Sequence, residues 1–130
     1  MRILVVDDHA DLRTAVCTIL KTDKNVHICY EAANGEEAVQ KALALKPDLV
    51  VLDISMPVLN GFDAARKIRV HMPNLPILMM TASHDPDLRE ISVSVGAQGF
   101  LNKNEIADSL LHATETLLAC GTFFPNIQSY

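Results

Sequence analysis

The sequence predicts an α/β fold: a doubly wound, parallel sheet of five strands with helices on both faces, a three-layer sandwich. Three observations carry this expectation. Leu49-Val50-Val51-Leu52 is a short, β-rich apolar run ending in Asp53 and bounded by Pro47 and Pro57, the pattern of a strand buried on both faces. Strand-like and helix-like stretches alternate five times along 130 residues, which implies βαβ units. The connections are short, and right-handed crossovers then leave few topologies.

The elements follow in order. Ile3 to Val6 is an apolar strand that runs straight into Asp7 and Asp8. Leu12, Ala15, Val16, Ile19 and Leu20 fall at i, i+3, i+4, i+7 and i+8, one stripe of a first helix, with Asp11 suited to its first turn and Lys21 to its last. Val26 to Ala32 reads as the second strand. Asn34-Gly35 is a turn signal, Glu36 and Glu37 open a helix to about Leu45, and Lys46-Pro47-Asp48 stops it. The Asp53 strand follows. A loop from Ile54 to Gly61 carries Pro57 and Asn60-Gly61, and a third helix runs from about Phe62 to Val70. Pro73 and Pro76 precede the strand Ile77 to Met80, which ends in Thr81. Asp85-Pro86-Asp87 starts a fourth helix with Leu88, Ile91 and Val95 on one face, ended by Gly96. Gly99-Phe100-Leu101 is a short last strand leading to Asn102-Lys103, and the last helix spans Glu105 to Cys120 before Gly121. Residues 1–120 read as one domain, and 121–130 as a tail or the start of a linker.

Composition narrows the function. Eleven basic against 16 acidic side chains give a net charge of −5, which argues against nonspecific nucleic-acid binding by this segment. No apolar run approaches the ~20 residues of a membrane span. Arg2-Ile3-Leu4-Val5-Val6 is too short for a signal-peptide core and ends in acid, so a cytoplasmic location is expected. Cys17, Cys29 and Cys120 are isolated, without a CxxC, and are expected to be free packing thiols.

The polar residues that follow the strands form the candidate site. Asp7 and Asp8 follow strand one, Asp53 ends strand three, Thr81 strand four, and Lys103 strand five. A parallel sheet delivers all of them to one rim, where open α/β sheets form their sites. Converging carboxylates repel one another, and a hard divalent cation with oxygen ligands, Mg²⁺, relieves that. Lys103 adds an ammonium and Thr81 a hydroxyl. A cation, an ammonium and a hydroxyl around one carboxylate suit the three oxygens of a phosphoryl group, which that carboxylate would attack in line.

Val-Val-Asp-Asp, Leu-Asp-Ile-Ser-Met-Pro, Thr81-Ala82 and Gly-Phe-Leu-Asn-Lys together resemble a response-regulator receiver domain of the CheY type, over essentially all of residues 1–120. The resemblance implies a flavodoxin-like (βα)₅ sheet of strand order 2-1-3-4-5. It implies a phosphoacceptor signalling domain rather than an enzyme, served by a sensor histidine kinase or phosphotransfer protein. Asp53 matches the phosphorylated residue, Asp8 the direct metal ligand, Asp7 an acid acting through water, and the Ser55 backbone carbonyl the third protein ligand. Lys103 and Thr81 match the groups that bind phosphoryl oxygens. The side chains of Ser55 and Ser83 flank that site, and Ala82 is small, as access to Asp53 requires. Phe100 reads either as a core ring or, by the resemblance, as the switch aromatic that moves with Thr81.

The family commonly has Pro with a cis peptide after this lysine. Here Asn104 stands there, and a cis bond before a non-proline residue costs about 2.5–4 kcal/mol. Receivers of the NarL/FixJ type, which carry a LuxR-type helix-turn-helix output domain, often lack that Pro. Asp-Asp-His-Ala-Asp-Leu-Arg and Gly-Thr-Phe-Phe-Pro also resemble this subgroup, and His9 fits its pattern rather than a ligand spacing. DNA would be bound only through an output domain absent from this chain. A stand-alone receiver or phosphorelay carrier is the alternative.

In the last helix, Ile106, Leu110, Ala113 and Leu117 form one stripe, and Ala107, Leu111, Thr114 and Leu118 a second beside it. This reads either as a broadly buried helix or as a homodimer face. Two other classes compete. A Mg²⁺-dependent aspartyl-phosphate phosphatase of the haloacid-dehalogenase type wants Asp-x-Asp after its first strand, whereas Asp53-Ile54-Ser55 lies in the third and lacks the second acid. A flavin carrier needs a hydroxyl-rich phosphate loop where Asp7-Asp8 would repel phosphate.

Overall fold

The computed structural model describes residues 1–125; the rest of the tail lies outside the described residues. Five parallel strands, β1 (Arg2–Val6), β2 (Ile28–Ala32), β3 (Leu49–Asp53), β4 (Ile77–Thr81) and β5 (Gly99–Asn102), form one sheet in the order β2-β1-β3-β4-β5. This is the flavodoxin-like order expected above. β1 pairs with both β2 and β3, Val6 opposite Leu52, and Asp53 stands opposite Met80 of β4.

Alternation along the strands builds the two outer layers. Ile3, Val5, Leu49, Val51, Leu78, Met80 and Leu101 pack beneath α1 (Ala10–Leu20) and the last helix, α5 (Ile106–Leu118). Leu4, Val6, Val50, Leu52, Ile77, Met79 and Phe100 pack on the other face, beneath α2 (Gly35–Leu45), α3 (Gly61–His71) and α4 (Asp87–Ser94). All five residues of β3 and of β4 are buried, which accounts for their unbroken apolar runs.

Several boundaries differ from the sequence expectation. β2 begins at Ile28 rather than Val26, although Val26 is buried; β2 is an edge strand, and only Ala32 within it is buried. Asn34 and Asn60 act as helix N-caps rather than turn corners: their Oδ1 atoms accept from the Glu37 and Asp63 amides at 2.9 and 3.0 Å. Each following glycine is therefore already helical. In α1, Cys17 is buried and Ala15 exposed, which shifts the predicted stripe by one position. Cys17 is thus a packing thiol and Cys29 is half-buried, but Cys120 is exposed, so it is free without being packed.

The last helix is shorter than Glu105 to Cys120. Lys103–Glu105 forms a 3₁₀ turn, because the Asn102 side chain accepts from the Asn104 amide at 3.0 Å. The Lys103–Asn104 peptide is trans. At the far end Cys120, not Gly121, takes the left-handed conformation (φ 66°) that reverses the chain. On α5 the first stripe is buried. Of the second, Thr114 is buried, Leu111 and Leu118 are half-buried, and Ala107 is exposed, which is closer to a broadly buried helix than to a free apolar face. Among the described residues no helix is long and apolar enough to cross a membrane.

Candidate functional site

The carboxyl ends of β1, β3 and β5 bring Asp7, Asp53 and Lys103 into contact. By alternation Asp53 falls on the face of Val51 and Leu49, and Asp7 and Lys103 continue the rows of Val5 and Leu101 on that same face. Lys103 Nζ lies 2.8 Å from Asp7 Oδ2 and 3.2 Å from Asp53 Oδ2. The Asp7 and Asp53 side chains are 0% and 3% exposed and that of Lys103 15%, so one ammonium bridges two nearly dry carboxylates.

The electrostatics follow from that burial. Desolvation, followed by the charge of Asp7, pushes the Asp53 carboxyl above its ordinary value; Lys103 and the Ser55 amide pull it back only in part. For Lys103 burial works to lower the pKa, but the close contact with Asp7 and the charges of Asp53 and Asp7 outweigh it, and the ammonium is held above its ordinary value. Two acids and one base leave the pocket negative before Asp8 is added.

Asp8 lies at the mouth, with its side chain 31% exposed. His9 Nδ1 stands 3.1 Å from Asp8 Oδ1 and 3.2 Å from Asp7 Oδ1, so ligand-type atoms of Asp7, Asp8 and His9 cluster within 4.8 Å of one another. Sequence spacing gave His9 no such place. The Ser55 amide points back to Asp53 Oδ1 at 3.3 Å. Thr81 is buried at the end of β4, one residue beyond the partner of Asp53, and its Oγ1 accepts from the Ser83 amide at 3.0 Å. Phe100 is buried (4% exposed) and lies opposite Met79, so it is a diagonal neighbour of Thr81 on the α4 face. Ala82 and Ser83 are exposed beside it.

Three positioning residues escaped the sequence reading. Arg13 donates from Nη1 to the Asp7 carbonyl at 2.8 Å and pairs through Nε with Glu31 at 3.1 Å, which fixes the β1–α1 turn. Asn102 donates from Nδ2 to the Ser83 carbonyl at 3.0 Å, tying the Lys103 turn to the loop after Thr81. Gly61 lets α3 abut the site: a Cβ there would lie 2.1 Å from the Asp53 carbonyl oxygen. Its amide donates to the Ile54 carbonyl at 2.8 Å. The last two had a trace in the sequence, an Asn before the lysine and a Gly after the Asp53 loop, but neither trace names the partner.

The residues present suit a hard divalent cation. Their donors are carboxylate oxygens, and Asp7 Oδ2, fully buried, meets the Lys103 charge without an oriented hydrogen bond. That leaves lone pairs for a cation or its water.

Comparison with known proteins places the chain in a family. The family profile described as "Response regulator receiver domain" matches residues 3–115. Transcriptional regulatory protein LnrK of Bacillus subtilis is 33% identical over 125 residues, covering 96% of this chain and 57% of that protein. The protein-glutamate methylesterase/protein-glutamine glutaminase of Colwellia psychrerythraea is 40% identical over 109 residues, covering 82% of this chain but 29% of that protein. The chain thus spans little more than half, or under a third, of the length of these relatives. Among solved structures, a two-component response regulator of the LuxR family from Aurantimonas sp. superposes with a TM-score of 0.90 at 30% identity, covering 97% of this chain and 91% of that one. The response regulator domain of Thermotoga maritima CheB gives 0.84 at 29%, covering 92% and 96%. The chain belongs to the response regulator receiver domain family, the receiver modules of two-component signalling.

Proposed function

We propose that Asp53 takes up a phosphoryl group from a sensor histidine kinase or phosphotransfer protein and holds it as a signal. The observation that carries this is the buried Asp53 carboxylate sharing the Lys103 ammonium with Asp7. A carboxylate oxygen of Asp53 attacks phosphorus, the P–N bond to the donor imidazole breaks, and the nitrogen keeps the electron pair and takes a proton. Lys103 neutralises the transferred oxygens, and the Thr81 hydroxyl exchanges its contact with the Ser83 amide for one with the phosphoryl group. Phe100 reports that exchange because it shares the face of Thr81. Asp8, Asp53 and the Ser55 carbonyl would hold Mg²⁺, with Asp7 acting through water. Bound there, the cation supplies charge neutralisation for the phosphoryl oxygens. On this reading the chain signals and turns over no outside substrate.

The reading extends to context. Similarity to LnrK and to the LuxR-family regulator supports a cytoplasmic transcription regulator of the NarL/FixJ subgroup, whose output domain would bind DNA as a dimer, with the last helix of the receiver as a contact. The 40% identity to methylesterase receivers favours a second output class, an enzyme joined to the same kind of module. A stand-alone carrier is the third arrangement.

Intact-mass measurement after acetyl phosphate and Mg²⁺ tests the core of the proposal. One phosphoryl adduct is expected in the parent and none in Asp53→Asn. An adduct that survives the substitution refutes the Asp53 assignment.

A further inference from the structure

β5 ends the sheet, and its outer edge would leave unpaired backbone groups. The chain itself covers that edge. After α5 the left-handed Cys120 turns the backbone round, and Phe123 lies parallel to β5 opposite Gly99. The Phe123 amide donates to the Gln98 carbonyl at 2.9 Å, and the Phe100 amide donates to the Phe123 carbonyl at 2.8 Å. A Cβ on Gly99 would lie 3.2 Å from that same carbonyl and closer still to Leu78 and Leu117, so the glycine makes room for the approach.

Side chains from both layers hold the segment. The Phe123 ring meets His112 of α5 edge-on, centroids 5.6 Å apart at 83°. Arg89 of α4 lies 5.6 Å over the Phe124 ring and donates from Nη2 to the Phe124 carbonyl at 3.1 Å. Phe124 also packs against the apolar cluster that contains Phe100. Phe100 is thus joined to this segment twice, by its own amide and through the cluster around its ring.

We propose that the β5 edge is a strand-docking site whose occupant is residues 122–124 of this chain, and that phosphorylation of Asp53 tightens its docking through Thr81 and Phe100. The packed Phe100 ring and the docked strap stabilise each other, and coupling between them is reciprocal. A phosphoryl group that draws Thr81 toward Asp53 favours the packed ring on the shared face, and therefore the strap. The path to any following domain then leaves α5 in a fixed direction. This rests on the phosphoacceptor reading above.

Amide hydrogen exchange by NMR on the whole chain tests it, with phosphoryl uptake followed by mass in parallel. With Mg²⁺ and beryllofluoride as the phosphoryl mimic, the Phe100 and Phe123 amides should exchange on the order of fivefold or more slowly, the low end of typical coupling. Asp53→Asn should show no such change. A parent that forms its phosphoryl adduct while both amides keep or raise their exchange rates overturns the strap and leaves the phosphoacceptor reading standing. A parent that forms no adduct overturns both. Independently of phosphorylation, Phe124→Ala should speed exchange at Phe100 about fivefold in the resting protein; unchanged protection at Phe100 overturns the docking.

Discussion

Replacing Lys103 by Met keeps the length of the side chain and removes the ammonium that contacts both Asp7 and Asp53. Nζ sits 2.8 and 3.2 Å from the two carboxylates, which are 0% and 3% exposed. At an effective dielectric of about 20, each contact carries roughly 5 kcal/mol of attraction before desolvation is subtracted. Losing one partner of a buried pair costs about 3–5 kcal/mol, because the stranded charge keeps its desolvation penalty. Lys103 lies at the rim, so the low end applies, about 3 kcal/mol at pH 7 without metal. At about 4 °C per kcal/mol for a domain of this size, Tm should fall by roughly 12 °C.

The pH dependence has a definite sign. Burial and the Asp7 charge already raise the Asp53 pKa. A raised acid contributes its stability below its unfolded value and loses it as pH rises through the folded value. Removing Lys103 raises that folded value further. The deficit of the variant should therefore be full at pH 7 and close as pH falls toward about 4, where carboxylates protonate. Mg²⁺ at about 100 times its dissociation constant would return roughly 2.7 kcal/mol. Urea unfolding of parent and variant at pH 7 and pH 4, with and without Mg²⁺, reads all three effects. A loss below about 1 kcal/mol at pH 7, or one indifferent to both pH and Mg²⁺, refutes the bridging role of Lys103.

Two further substitutions probe the loop after β3. Gly61→Ala would press a Cβ to 2.1 Å from the Asp53 carbonyl and 2.7 Å from Ile54 Cα, both backbone atoms that cannot swing aside. We expect a loss of about 3 kcal/mol in thermal unfolding together with slower phosphoryl uptake, and a parent-like melt would show that α3 can retreat. Val58 is 79% exposed and sits at φ 70°, within a turn closed by the Leu59 amide on the Pro57 carbonyl at 2.8 Å. A β-branched residue is strained there, so Val58→Gly should stabilise by about 0.5–1 kcal/mol despite the added chain entropy. An unchanged or lower Tm would contradict that strain.

The chain sequence was informative where burial repeats locally. Leu49 to Leu52 announced a strand covered on both faces, and the alternation of strand and helix patterns implied a parallel sheet. Parallel pairing then placed Asp7, Asp53, Thr81 and Lys103 on one rim without any knowledge of register. Three misplaced helix starts share a cause. Asn34, Asn60 and Asn102 each use a side-chain oxygen to start a helical turn, and from sequence an Asn-Gly or Asn-Lys pair reads equally well as a turn or a strand end.

The tertiary structure decided what no local period encodes. Lys103 contacts Asp7 and Asp53 at once, across 96 and 50 positions of chain, because β1 and β3 are neighbours while the turn after β5 reaches over β4. Thr81 and Phe100 share a face only because Met79 stands opposite Phe100, and a register shifted by one residue would part them. Arg13 of α1 against Glu31 of β2 and the tail on β5 are of the same kind. Sequence by itself determined the residue types and the rim on which they gather, because burial and strand direction are local or follow from topology. Distances, ion-pair partners and the path of the chain after α5 were decided by packing, because they depend on how separate elements meet.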